Sequence, residues 1–284
     1  MTRSAGLPVR WALLAVAVAC THRGATPAAA PIGPEAMVAD PASPSMADQP
    51  IAAAPVSGLH LELNVAALRL DVYDGTAVVR RYRVAVGGAD HPTPLGTYHI
   101  RRVEWNPVWV PPPSEWAQAD TVMRPGPTNP MGRVKLEFRD RYFLHGTPDP
   151  TSVGTAGSHG CVRLANQDAL ELAERVHAYA SPDLRSGDVT ALASGWGTTR
   201  SITLVRDVPL VIRYAPIEVV GSYLVAHPDV YGRRSGSGVS DALAGLAAAG
   251  VDGARVDTAR IRALLAGSGA KTVSVSLASL LKPR

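Results

Sequence analysis

From Gly58 onward, apolar residues recur at every second position in short runs, and this period of two constrains the fold more than any other feature of the chain. Leu59, Leu61 and Leu63 alternate with His60, Glu62 and Asn64, and Leu68, Leu70 and Val72 alternate with Arg69, Asp71 and Tyr73. Successive side chains of a strand point to opposite faces, so both runs are predicted to be half-buried strands. Asp74-Gly75 is a hairpin signal, and 78–86 returns as a third strand. Residues 97–103, 134–138, 142–144, 201–205, 209–214 and 217–225 are further candidates. Short strands with frequent turn signals point to a mostly β protein, a sandwich or a barrel.

One segment has the helical period instead. Asn166 is placed to cap it, Asp168 lies in its first turn, and Ala169, Leu172, Ala173, Val176 and Ala180 form an apolar stripe that ends at Ser181-Pro182. Between the strands, residues 105–131 contain seven prolines and three tryptophans without periodicity. They are expected to form a long loop over the sheet, and ordered loops of that length usually carry function. Residues 235–240 are Ser/Gly-rich, and 241–284 offer alanine-rich helices and a strand at 273–277 without a chemical motif. The expected organisation is a main domain at 58–234 followed by a small α/β extension at 235–284.

The amino-terminal part is of another kind. Arg3 and Arg10 flank or precede an apolar stretch, 11–19, and no acidic residue occurs before it ends, which is the build of an export signal. Ala17-Val18-Ala19-Cys20 resembles a bacterial lipobox, so Cys20 is the expected lipidation site and would anchor the protein to a membrane without spanning it. From 20 to 57, 18 of 38 residues are Ala or Pro and none is aromatic. Such a segment cannot bury a core and reads as a flexible tether. Loss of 1–19 removes Arg3 and Arg10 and lowers the formal charge from +4 to +2. So small a balance, without a basic cluster, argues against a nucleic-acid partner.

Two cysteines are too few for a disulfide framework, and with Cys20 taken by lipid the mature chain keeps one thiol, Cys161. Its surroundings run Phe143-Leu144-His145-Gly146-Thr147, a loop, and then Gly157-Ser158-His159-Gly160-Cys161-Val162-Arg163-Leu164. The helix predicted at Asn166, the imidazole of His159 and the charge of Arg163 are each expected to lower the thiol pKa. The pattern suggests a Cys161 nucleophile with His159 as general base, acting on a carbonyl, with the amides of Gly160 and Cys161 aimed at the oxyanion. No Asp or Asn is an obvious orienter of His159, and a backbone carbonyl of the His145-Gly146 segment is as good a candidate.

These residues resemble the signature of L,D-transpeptidase catalytic domains, also called the YkuD family. His145-Gly146-Thr147 followed by Ser158 to Leu164 and then by Asn166 and Asp168 carries the resemblance. Pro92-Thr93-Pro94-Leu95-Gly96-Thr97-Tyr98 and Gly126-Pro127-Thr128-Asn129-Pro130-Met131-Gly132 add to it, in the right order. Val208-Pro209 and Asp229-Val230-Tyr231-Gly232 look like the larger periplasmic members. The resemblance implies a β-sandwich-like domain with one main helix after the cysteine. It implies a Cys161 thioester with peptidoglycan stem peptides, forming 3→3 cross-links or attaching a protein to the wall, with neither metal nor organic cofactor. It also implies His159 as base, His145 and Gly146 as its orienting pair, and Arg163, Ser158 and Trp109 as candidate substrate contacts. The covering loop corresponds to 105–131, so that Trp105 and Trp116 are candidates beside Trp109 to line the cleft. The compartment implied is the periplasm or cell envelope.

Other readings of the same residues exist. Ala156-Gly157-Ser158-His159-Gly160 imitates a nucleophile elbow with Ser158 as nucleophile, but the polar, glycine-rich 151–157 is no buried strand. His145, His159 and Cys161, with Asp149, have the composition of a zinc site. Hydrolysis, in which water accepts the acyl group, needs the same thiol and base as transfer. A non-catalytic wall-binding lipoprotein is the alternative of another class.

Overall fold

The structure is a computed structural model that describes residues 58–181, 183–233 and 238–282, all within the unit Ala53–Arg284. The expected leader 1–19, Cys20 and the tether 20–57 lie outside the described residues, as do Pro182 and 234–237.

The alternating runs become strands β1 (Leu59–Asn64), β2 (Arg69–Asp74) and β3 (Ala77–Arg83), paired antiparallel in sequence order. Leu61, Leu63, Leu70 and Val72 are fully buried, each contributing about 1.5–3 kcal/mol by leaving water. β1 is covered on its polar face too, against the half-buried expectation. His60 stacks on Tyr73 with ring centroids 4.8 Å apart, and the Asn64 amide both donates to Ala215 O (3.0 Å) and accepts from Ala215 N (3.1 Å). β3 is an edge strand whose exposed Arg80 and Arg81 discourage pairing with another chain.

The short β4 (Val86–Gly87) comes next, then β5 (Gly96–Trp105), β6 (Val134–Arg139) and β7 (Tyr142–Thr147), then β8 (Ala156–Ser158) and β9 (Val162–Ala165). Helix α1 (Asn166–Ala180) follows β9 directly, with α2 (Ser186–Ala193) behind it. The stripe Ala169, Leu172, Ala173, Val176 and Ala180 is fully buried against the sheet. Asn166 does not cap α1, because its side chain is used elsewhere: Oδ1 accepts from the Arg133 amide at 3.1 Å.

Two strands expected near 201–205 and 209–214 are one, β10 (Arg200–Arg213). It lies parallel to β1 and antiparallel to β5, and its register shifts between Thr203 and Val208. That irregularity comes just before Pro209, which has no amide to give to a ladder. The main sheet has the order β3-β2-β1-β10-β5-β6-β7-β9, and β4 and β8 form a small parallel pair beside it.

A second core starts earlier than expected. β11 (Ile217–Val220) and β12 (Tyr223–Ala226) form a hairpin about Gly221 where one strand, 217–225, is predicted. They are completed by α3 (Val239–Ala248), α4 (Thr258–Gly267), β13 (Val273–Ser276) and α5 (Leu277–Leu280). Leu224, Leu246, Ile261 and Leu280 fill this core, so the α/β extension begins near 217 and not at 235. Glu218 fastens it to the main sheet, accepting from Arg69 (2.9 Å), Arg213 (3.1 Å) and His227 (2.9 Å). Burial pushes the Glu218 carboxyl up, but His227, Arg69 and Arg213 outweigh burial and hold it well below the carboxylate range.

Candidate active site

β7 and β9 run parallel with Leu144 opposite Val162, His145 opposite Arg163 and Gly146 opposite Leu164. Leu144, Val162 and Leu164 are fully buried in the core. Alternation therefore puts Phe143 and His145 on the other face, together with Arg163 and with Cys161, which immediately precedes β9. Lys135 stands opposite His145 and Glu104 opposite Lys135, with Lys135 Nζ 3.0 Å from the Glu104 carboxylate. One polar row, Glu104-Lys135-His145-Arg163, thus crosses four strands beside the thiol.

His145 is buried, and its Nδ1 lies 2.6 Å from Gly146 O. A carbonyl only accepts, so Nδ1 carries the hydrogen and Nε2 is left as the acceptor. Burial pushes its pKa down to about 4; the Gly146 bond opposes this, and the charges of Arg163 and Lys135 reinforce it. Gly146 is needed for close approach: a Cβ there would stand 2.2 Å from Asn166 Oδ1. Gly132, at φ +62°, meets the same oxygen at 2.2 Å, which accounts for both glycines and for the use of Asn166.

Cys161 is half-buried, its Sγ 3.6 Å from Arg141 O. Burial pushes the thiol above the ordinary cysteine value, against the pull of the Phe143 backbone, Arg163 and Lys135. This corrects the expected lowering. The helix N-terminus does not help, because the whole of β9 separates Cys161 from α1. Four extended residues span about 13 Å, and a helix dipole acts within about its first turn.

His159 is placed differently. It is exposed, stacked on Trp116 with centroids 3.9 Å apart and planes at 9°, with His91 tilted against it at 5.0 Å. Burial, His91 and Arg163 lower its pKa. The Gly146 carbonyl expected to orient His159 is bonded to His145 instead.

The turn before Cys161 is closed by Ser158. Its Oγ donates to Cys161 O (2.5 Å) and accepts from Gly160 N (3.1 Å), and the residue is buried. Ser158 is therefore neither a substrate contact nor a nucleophile, and the Gly160 amide is not aimed at an oxyanion; of the expected pair only the Cys161 amide remains. Gly160 has φ +103°, and a Cβ on it would stand 2.7 Å from the Tyr142 ring.

Of the tryptophans, the one that reaches the site is Trp116, on a 3-10 turn at Glu115–Ala117. Trp105 is fully buried, donating to His177 Nε2 at 3.0 Å. Trp109 pairs through its backbone with Met123 at the base of the loop. Asn129, expected only as part of a motif, staples that loop by donating to the carbonyls of Pro107, Met123 and Arg124 and accepting from Met131 N. The backbone of Arg163 pairs with Ala85, and among the described residues no carboxylate forms an ion pair with its guanidinium. Among the described residues no three His, Cys, Asp or Glu side chains gather as metal ligands.

A thiol on the sheet face shared by a buried, tautomer-fixed imidazole has the composition of a cysteine acyl-transfer type of site. Residues 59–202 match the L,D-transpeptidase catalytic domain family, YkuD, and the chain belongs to that family. It is 34% identical over 123 residues to the Escherichia coli K12 protein named "Probable L,D-transpeptidase YbiS", covering 40% of each chain. It is 33% identical over 117 residues to the Bacillus licheniformis protein named "Putative L,D-transpeptidase YkuD", covering 41% of this chain and 58% of that one. The chain thus spans about two fifths to three fifths of the length of these relatives. The catalytic domain of an L,D-transpeptidase from E. faecium overlaps 56% of this chain and 100% of its own, at 13% identity and a TM-score of 0.36. Family membership rests on the sequence match and not on that overlap.

Proposed function

We propose that the protein is a cysteine-dependent acyltransferase acting on peptidoglycan stem peptides, with Cys161 as nucleophile and His145, in place of His159, as general base and acid. The observation that carries this is the His145 Nδ1–H bond to Gly146 O, which leaves Nε2 as a proton acceptor on the sheet face that Cys161 shares. The thiol and the imidazole are both held neutral at rest, so the nucleophile is made when substrate is present.

The Cys161 proton passes to His145 Nε2 as sulfur bonds to the carbonyl carbon of the third stem residue. The oxygen takes the electron pair, with the Cys161 amide as donor. Collapse expels the amine of D-Ala, which takes the proton from His145 and leaves a thioester. An acceptor side-chain amine then attacks, loses its proton to His145, and expels the sulfur, which regains that proton. Arg163 is the cation available for a substrate carboxylate. Export by 1–19 and lipid anchoring through Cys20 belong to the same proposal, and Cys20→Ser would then leave the protein in the soluble fraction of a cell envelope preparation; recovery with the membranes would refute anchoring.

The test incubates the purified chain with disaccharide-tetrapeptide and follows products by mass spectrometry. A 3→3 dimer with released D-Ala, absent with Cys161→Ala, is the expected result. Tripeptide without dimer assigns the same site to hydrolysis, and no conversion overturns the proposal.

A further inference from the structure

Asp229-Val230-Tyr231-Gly232 lies outside residues 59–202, yet Tyr231 is tied through the loop 87–93 to the turn that carries Cys161. Tyr231 stacks on Tyr214 with centroids 5.3 Å apart, and its amide donates to Tyr214 Oη at 3.1 Å. Tyr214 in turn donates to Asp229. These contacts fix the ring, and its hydroxyl has two partners on the loop 87–93: it donates to Gly87 O and accepts from Thr93 N, both at 3.0 Å.

Thr93 closes the same loop from inside. It is buried, and its Oγ1 accepts from Gly87 N (2.8 Å) while donating to Gly160 O (3.0 Å). The loop is so tight that a Cβ on Gly87 would stand 2.1 Å from His91 O. Gly88 N donates to Ser158 O at 2.9 Å, tying the loop to the other side of the same turn. Gly160 is therefore held at its amide by Ser158 and at its carbonyl by Thr93, and Thr93 is held by Tyr231. Each polar group in this series has a partner, and in a buried network the loss of one member strands the others.

We infer that Tyr231 is a positioning residue for Cys161: through Thr93 its hydroxyl sets the carbonyl of Gly160, and with it the backbone that presents the thiol. The inference rests on Cys161 being the nucleophile. It gives the segment between β12 and α3 a part in the chemistry, so the α/β extension is coupled to the site through more than its Glu218 clip.

The experiment compares full-length wild type with Tyr231→Phe, Thr93→Val and Thr93→Ser. A misplacement of about 1 Å at a reacting group costs on the order of 100-fold in rate, so kcat for stem-peptide turnover is expected to fall roughly 10- to 100-fold in Tyr231→Phe and Thr93→Val, with KM within about threefold. Thr93→Ser, which keeps the hydroxyl, regains most of what Thr93→Val loses. The double variant Tyr231→Phe/Thr93→Val loses little more than either single one, because the two act in series. Alkylation of Cys161 by iodoacetamide, read by intact mass, needs no substrate and should be at least about threefold faster in Tyr231→Phe and Thr93→Val as the turn loosens. If wild type turns over no stem peptide, the proposed function fails while the alkylation arm still decides the network. Wild-type kcat and alkylation rate in Tyr231→Phe, or equal losses in Thr93→Val and Thr93→Ser, overturn the inference.

Discussion

The paired strands β7 and β9 and the loop 106–133 each bring a ring to the site, and they hold it by different means. His145 on β7 is fixed by the ladder to β9, by burial and by a hydrogen bond to Gly146. On the loop, Trp116 rests on an exposed His159 through ring stacking. A ladder position is set by many bonds at once and moves only when the sheet does. A stacked pair is worth about 0.5–1.5 kcal/mol beyond its buried area and can part without unfolding anything. Under the proposed function, the fixed strand histidine takes proton transfer and the loop takes access.

The largest effect expected is that of Cys161→Ala, which should abolish turnover, at least about 1000-fold, while leaving the circular dichroism spectrum unchanged. Retained turnover would move the chemistry off the strands altogether. Next, His145→Gln should lower kcat by about 100- to 10,000-fold. His159→Gln should cost less than about tenfold. Steady-state kinetics of the two variants side by side would reverse the comparison if His159→Gln proved the worse.

Acid titration of stability sharpens the same contrast. His145 and His177 both fold with pKa values pushed to about 4 by burial, against an ordinary 6.5. Above about 6.5 neither state is protonated and nothing is lost. As pH falls from 6.5 towards 4 the unfolded chain takes up protons that the folded chain refuses, so stability declines, by roughly 1.4 kcal/mol for each histidine with every pH unit crossed in that window. Denaturant midpoints between pH 7 and 4 should fall less steeply for His145→Gln than for wild type. An unaltered slope would mean that His145 is not held neutral. The smallest effect expected is that of Trp116→Ala, which should raise KM about two- to fivefold with kcat little changed; a large fall in kcat would give the loop a part in the chemistry.

Much of the architecture was legible because period two and period 3.6 are properties of neighbouring residues. The runs at 59–64 and 134–138 and the stripe from Ala169 to Ala180 needed no distant partner to be read. The expected strands 201–205 and 209–214 proved to be one because β10 runs on through the irregularity between Thr203 and Val208, and pairing geometry is not written in the order of residues. Asn166 misled for a related reason: its local role as a cap lost to a bond with Arg133, 33 positions away. The same competition removed Ser158 and the Gly160 amide from the groups free to meet a substrate.

The sequence by itself determined that this chain forms a mostly β domain with one main helix after the motif, and it singled out Cys161 and His159, with His145 as an orienting group, as the residues on which the proposed chemistry rests. Those conclusions depend on local period and on residue type, which the order of residues contains in full. Only the tertiary structure decided which histidine is held with a free Nε2, that the thiol is pushed up and not down, and that Tyr231 is linked to Gly160 through Thr93. Tautomer and pKa follow from desolvation and from the group lying across the sheet, and both are created only when distant segments meet.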